Sequence, residues 1–239
     1  MDKKLINKGI RSDGRKLDEI RPMIIKAGVI DRADGSAYVE FGTTKVIVGV
    51  YGPKKVHPRH MENSQKAILK FRYNMIPFSV YDRKRPGYDK RSVEIAKVVA
   101  DAFENAIFLE EFPKSAIEVD MEIIQADAGT RVAAITAASV ALADAGIPMK
   151  GLVSSVAAGR VEGNIALDLT KDEEDVSDAI DLPVAMIPRT GEITLLQMDG
   201  DATVEEIEQI VKMAEKGCKD IEKVQIAALL EKYTTKGTN

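Results

Sequence analysis

Residues Gln125-Ala126-Asp127-Ala128-Gly129-Thr130-Arg131-Val132-Ala133-Ala134-Ile135 constrain this chain more than any other stretch. An apolar strand, Ala116 to Gln125, runs into a turn of small residues, and a helix begins at Thr130. That helix, Thr130 to Ala145, is apolar nearly all round and rich in alanine, and a helix without a polar face has to be buried. Ala145-Gly146-Ile147-Pro148 ends it. A helix N-terminus leaves N–H groups unpaired and carries partial positive charge. Gly129, Thr130 and Arg131 at such an end suit a phosphate, and in a buried helix the site lies in a cleft. The plainer reading makes Asp127 or Thr130 an N-cap and Arg131 a surface charge.

The remainder of the chain alternates strands and helices around this element, after an N-terminal stretch, Arg11-Ser12-Asp13-Gly14-Arg15, that is polar and turn-forming. Met23 to Ile30, Ser36 to Phe41 and Lys45 to Tyr51 read as a β-meander broken by Asp34-Gly35 and Gly42-Thr43-Thr44, with a further strand at Ile68 to Met75. A helix from Lys90 to Leu109 carries Ile95, Val99, Ala102, Phe103, Ala106 and Ile107 on one stripe. The second half repeats the plan. Leu152 to Val161 with Asn164 to Leu169, then Leu182 to Ile187 with Glu192 to Met198, read as hairpins. A helix from Thr203 to Tyr233 follows, opened by a Thr203-x-x-Glu206 capping box, and a tail from Thr234 to Asn239 is expected to fray. The pattern is α+β with an internal βα pseudo-repeat, lobes 1–145 and 146–239.

At 239 residues, with 45% apolar and 30% charged side chains, the chain can bury a full core. No apolar run is long enough to span a bilayer, and Met1-Asp2-Lys3-Lys4-Leu5 lacks a signal-peptide core, so a cytoplasmic protein without membrane partners is expected. Cys218 is the single cysteine and falls in register with the apolar face of the last helix. His57 and His60 are the two histidines, too few for a zinc triad.

Net charge is −4, yet between Lys54 and Arg91 eleven Lys and Arg face three acidic residues, Glu62, Asp82 and Asp89. Tyr51, Phe71, Tyr73, Phe78, Tyr81 and Tyr88 interleave with them, and cations beside aromatic faces are what single-stranded RNA needs for backbone attraction and base stacking. The plainer reading is a solvated loop, with Phe71 and Tyr73 belonging to a strand. Lys90 and Arg91 stand in the first turn of a helix, where the helix dipole disfavours cations, so a function or an acidic neighbour such as Glu94 has to account for them. Opposite in sign is the acidic run from Asp172 to Asp181, most of which reads as a solvated loop. Asp181, at the mouth of the buried strand Leu182 to Met186, is the exception: it can protonate a leaving oxygen if its pKa is raised, or bind a divalent ion if it is not.

Together these stretches resemble the RNase PH family of phosphorolytic exoribonucleases. Arg11-Ser12-Asp13-Gly14-Arg15, Gly35 to Val46, Arg91-Ser92-Val93-Glu94-Ile95, Gln125 to Ile135, Pro148 to Val153 and the acidic segment carry the likeness over nearly the whole chain. Within the family, His57-Pro58-Arg59-His60 and Asp181 to Met186 look most like the catalytic branch found in the archaeal exosome ring. The bacterial members usually have Gly where Ala128 stands.

The resemblance implies an RNase PH-like fold, similar to the second domain of ribosomal protein S5, with antiparallel and mixed sheets and packed helices. It implies that Arg91, Gly129, Thr130 and Arg131 hold inorganic phosphate or the scissile phosphodiester, and that Arg59, His60 and Lys90 guide RNA. Asp175 and Asp181 match the family's two active-site aspartates. One is the general acid and one a ligand for a divalent ion such as Mg2+; Asp175 resembles the exosome acid, but the roles stay open between them. Implied partners are single-stranded RNA, a related inactive subunit completing a hexameric ring of three heterodimers, and RNA-binding cap subunits. The implied activity is 3′→5′ degradation with inorganic phosphate as co-substrate. Two alternatives stand beside it: a non-catalytic RNA-binding scaffold of the same ring, and a bacterial-type homohexamer that trims tRNA 3′ ends.

Overall fold

A computed structural model describes residues 5–236. The N-terminal stretch forms a small ribbon, β1 (Ile6–Asn7) and β2 (Ile10–Arg11). A five-stranded sheet follows, built from β3 (Met23–Ala27), β4 (Gly35–Phe41), β5 (Thr44–Lys55), β6 (Ile68–Met75) and β7 (Ser115–Gln125) in the order β3-β4-β5-β7-β6. All its pairs are antiparallel except β6 with β7. Helix α1 (Lys90–Glu104) connects β6 to β7, and α2 (Thr130–Asp144) leaves the end of β7. A four-stranded antiparallel sheet takes β8 (Ser154–Val161), β9 (Asn164–Leu167), β10 (Ile180–Ile187) and β11 (Glu192–Leu196) in the order β11-β10-β8-β9. Helix α3 (Lys171–Glu174) bridges β9 and β10, and α4 (Val204–Lys236) follows β11.

Helix α2 is the middle layer. It packs on β4 and β5 of one sheet and on β8 and β10 of the other, which is why its sequence has no polar face. Its alanines let both sheets come close, and Gly35 shows how close: a Cβ there would lie 2.3 Å from the carbonyl oxygen of Ala141. One apolar cluster accordingly runs from Val39, Val48 and Met121 through Ile135 and Leu142 to Val156 and Val184. On the far side of the second sheet α4 contributes Ile210, Ala214, Cys218 and Ile221, all fully buried, so Cys218 is a core residue. Thr203 and Glu206 form the expected capping box, with bonds of 2.8 and 3.3 Å. The helix continues through Thr234 to Lys236, and the last three residues of the expected frayed tail lie outside the described residues, as do Met1 to Lys4.

Two local expectations are corrected and a third is refined. The helix from Lys90 stops at Glu104, because Ile107 bridges to Met149 and Phe108 N–H bonds the Pro148 carbonyl, drawing the chain into an extended pairing. The stretch Arg11 to Arg15 does turn, Gly14 N–H bonding the Arg11 carbonyl at 3.0 Å, but both arginines are buried. Arg11 is buried and donates to both oxygens of Glu173 and to the carbonyls of Leu167 and Asp168. Nor is the acidic run a loop throughout: Thr170 N–H donates to Glu173 at 2.8 Å in a capping box that opens α3, and Glu173 is fully enclosed. Among the described residues no helix is long and apolar enough to cross a membrane.

Burial alone would raise the pKa of Glu173, but the bonds from Arg11 and Thr170 outweigh it and hold the carboxyl below the ordinary range. The pair therefore contributes fully above the ordinary glutamate range and is lost as pH falls through it. Removing one partner strands the other charge in the core, so Glu173→Ala is expected to cost about 3–5 kcal/mol in chemical denaturation at neutral pH. The acid limb of the stability curve is expected to flatten in the variant.

Candidate active site

Strand β7 delivers the chain to the turn 126–129, which is held from two sides. Thr44 accepts the N–H of Asp127 at 3.0 Å and faces the carbonyls of Asp127 and Ala128 at 2.9 Å each. From the other side Arg21 donates to the Asp127 carbonyl at 2.5 Å and to both oxygens of Asp168. Ala128 and Gly129 both take the left-handed conformation, with φ of 56° and 62°. For alanine that costs about 1–2 kcal/mol, and the Thr44 bonds offset it. At Gly129 a Cβ would press to 3.1 Å from the Arg21 guanidinium.

The plainer reading of the turn does not hold. Gly129 is the cap residue of α2 and no side chain caps the helix; Asp127 instead accepts a bond from the Thr43 hydroxyl. The first-turn N–H groups keep their capacity to bind an anion. Thr130 is buried, with its hydroxyl 2.8 Å from that of Tyr73. Arg131 is bonded to Gln197 and stands 3.9 Å from Glu94, while its Nε is enclosed without a partner. Arg91 and Lys90 are exposed in the first turn of α1, whose cap is Asp89, bonded to Ser92 N–H at 2.7 Å. Asp89 pairs with Lys84 at 2.8 Å and not with either cation of the turn. No ion pair joins Arg91 to Glu94, which turns to Arg131 instead.

Asp181 is the second residue of β10 and exchanges two backbone bonds with Asp199, of 3.0 and 2.8 Å. Directly opposed residues put their side chains on one face, so two carboxylates share it. Oδ1 of Asp181 is enclosed without a hydrogen bond. Burial pushes its pKa up to about 6; Arg131 and Arg91 oppose the rise and Asp199 reinforces it. Glu174, at the end of α3, lies near the Gly129 backbone and is pushed up to about 7 by burial and by Asp181. Asp175, one residue on, points away, exposed and paired with Lys171. Thus Arg91, Gly129, Thr130, Arg131 and Asp181 form one electrostatic cluster, to which Tyr73, Glu174, Gln197 and Asp199 belong although sequence reasoning missed them. The Thr170-x-x-Glu173 pattern signalled the helix that brings Glu174 in; the others come through sheet pairing and left no local mark.

Arg59 and His60 lie exposed on a 3-10 turn at 59–61, and neither makes a hydrogen bond or ion pair to the cluster. Phe71 and Tyr73 are strand residues of the core, whereas Phe78, Tyr81 and Tyr88 are exposed, Tyr88 beneath the Arg72 guanidinium at 5.4 Å. Among the described residues no three His, Cys, Asp or Glu side chains are grouped as a metal ion would need. What the cluster offers is a helix N-terminus and two guanidinium groups for a dianion, with a carboxyl that holds a proton close to neutral pH.

Comparison with known proteins shows the family of the chain. The family model described as 3′ exoribonuclease family (RNase PH), domain 1, matches residues 19–148, and its domain 2 matches residues 151–217. The chain is similar to the exosome complex component Rrp41 of Methanopyrus kandleri, 57% identical over 225 residues, covering 94% of each chain. Among solved structures it is similar in fold to rice Rrp46, with TM-score 0.83 and 24% identity over 92% of this chain and 99% of that one. An Archaeoglobus fulgidus exosome with RNA bound to the active site matches with TM-score 0.75 and 23% identity, covering 90% of this chain and 92% of that one.

In the free chain Asp181 is expected to take up a proton near pH 6 when its carboxyl is followed by carbon-detected NMR. In Arg131→Ala the midpoint is expected to move upward, since the cation that favours the charged form is gone. An unchanged midpoint would show that the two groups do not share one field.

Proposed function

Because the chain belongs to the 3′ exoribonuclease (RNase PH) family, we propose that it is the catalytic RNase PH-type subunit of an archaeal exosome ring. It degrades RNA from the 3′ end, with inorganic phosphate as co-substrate and nucleoside diphosphates as products. The observation that carries this reading is the uncapped N-terminus of α2 beside the unpartnered Arg131 Nε and the unpartnered Asp181 Oδ1. A scaffold has no use for that set.

In the reaction, phosphate lies against the first turn of α2, held by Gly129, Thr130, Arg131 and Arg91. One of its oxygens attacks the phosphorus of the last phosphodiester; the new P–O bond forms as the bond to the 3′ oxygen breaks. The departing 3′ oxygen takes a proton from Asp181, whose carboxyl burial pushes up to about 6, and the terminal nucleotide leaves as its diphosphate; Asp175, the family's other aspartate, is paired with Lys171 in the free chain. Holding the nucleophile in line and neutralising charge on the pentavalent transition state supply most of the rate. Mg2+ enters no step here. Arg59, His60 and Lys90 guide the strand, and the exposed Phe78, Tyr81 and Tyr88 suit its bases.

The same reading makes the chain one domain of two related lobes, 1–145 and 146–239, working in the cytoplasm. It alternates with a related inactive subunit in a six-membered ring under RNA-binding caps. Arg131→Ala is expected to lower phosphate-dependent degradation at least 100-fold while ring assembly, followed by size-exclusion chromatography, stays intact. Retained activity would overturn the phosphate assignment.

A further inference from the structure

Thr130 starts α2, yet its hydroxyl is not free to turn. It is enclosed and lies 2.8 Å from the hydroxyl of Tyr73, which is itself 1% exposed and reaches it from β6. A phenol is a stronger hydrogen-bond acid than an aliphatic alcohol, so Tyr73 donates and Thr130 Oγ1 accepts. Burial pushes the phenol pKa up, which keeps it a neutral donor. Among the described residues Tyr73 has no second hydrogen-bond partner, and the hydrogen of the Thr130 hydroxyl has no acceptor. Arg91 and Arg131 both act on the Tyr73 phenol, so the pair faces the same two cations as the helix terminus.

We propose that Tyr73 is a positioning residue for phosphate: by filling a lone pair of Thr130 Oγ1 it aims the Thr130 hydrogen out of the first turn of α2, toward a phosphate oxygen. A threonine hydroxyl otherwise rotates among whatever acceptors it meets, and fixing it in advance removes that cost from binding. Polarisation along the chain phenol, alcohol, phosphate strengthens the last bond. Strand β6 pairs in register with β7, Tyr73 opposite Met121, so the donor is held by the sheet whose next strand leads to the turn. This inference rests on the phosphate reading of the α2 terminus.

The test uses the full chain assembled with its ring partner, single-stranded RNA and varied inorganic phosphate. Tyr73→Phe is expected to raise the KM for phosphate about five- to tenfold with kcat within about threefold, the signature of lost ground-state binding. Thr130→Ala is expected to raise it at least as far, and the double variant no further than Thr130→Ala alone, because Tyr73 acts through Thr130. An unmoved KM in Tyr73→Phe overturns the proposal, even if thermal stability drops, and so do effects that multiply in the double variant. Should Tyr73→Phe fail to assemble, Thr130→Ser and Thr130→Val decide: a raised KM in the valine variant alone supports the aimed hydroxyl, and equal KM values overturn it. Phosphate-dependent activity retained in Arg131→Ala would remove the phosphate reading itself. An inactive Arg131→Ala with an unmoved KM in Tyr73→Phe overturns the positioning role alone.

Discussion

Asp168 is a carboxylate shut inside the protein, 1% exposed, and the arrangement of the whole site follows from how it is paired. Arg21 donates to both of its oxygens, Arg15 approaches one at 3.3 Å, and the Arg21 backbone N–H adds a bond of 2.8 Å. A buried charge is tolerable only when paired and hydrogen-bonded to this degree. The same guanidinium reaches on to the Asp127 carbonyl, so one side chain ties the entry to β3, the exit from β9 and the turn before α2. The left-handed pair Ala128–Gly129 is held open by that tie and by Thr44.

With the turn fixed, the burial of α2 does the rest. A helix end that would lie in water at a protein surface is held in a cleft between two sheets, where its partial charge is poorly screened. The second sheet brings Asp181 and Asp199 to that end, and α3, pinned by the buried Arg11–Glu173 pair, brings Glu174. Arg131 and, from the surface, Arg91 act on Asp181 there, as does Asp199. Asp181 and Glu174 are pushed toward protonation, which separates the proton donor from the groups that hold the anion.

Much of this was legible in the sequence, and what was not has one cause. Local patterns located the strands, the buried α2 and the Thr203–Glu206 box, because each depends on neighbours a few residues away. Thr130 and Arg131 were readable for the same reason, sitting in one turn. Arg11 and Arg15 read as a polar turn because their partners, Glu173 and Asp168, lie more than 150 residues along the chain. Glu173 read as solvated for want of Arg11, and Glu174 for want of the turn before α2 that it meets. Tyr73, Gln197 and Asp199 enter the site through strand pairing, and a strand residue carries no local sign of which helix end it will meet. Asp175 shows the reverse case: the resemblance sets it beside Asp181, while its carboxylate pairs outward with Lys171.

The central claim is that an anion site at the start of α2 turns phosphate against RNA. It is tested most directly by incubating a 3′-labelled single-stranded RNA with this chain, alone and with its ring partner, in the presence and absence of inorganic phosphate. The account predicts that labelled nucleoside diphosphate appears only with phosphate, and faster with the partner. Degradation to monophosphates without phosphate, or no degradation under any of these conditions, would contradict it.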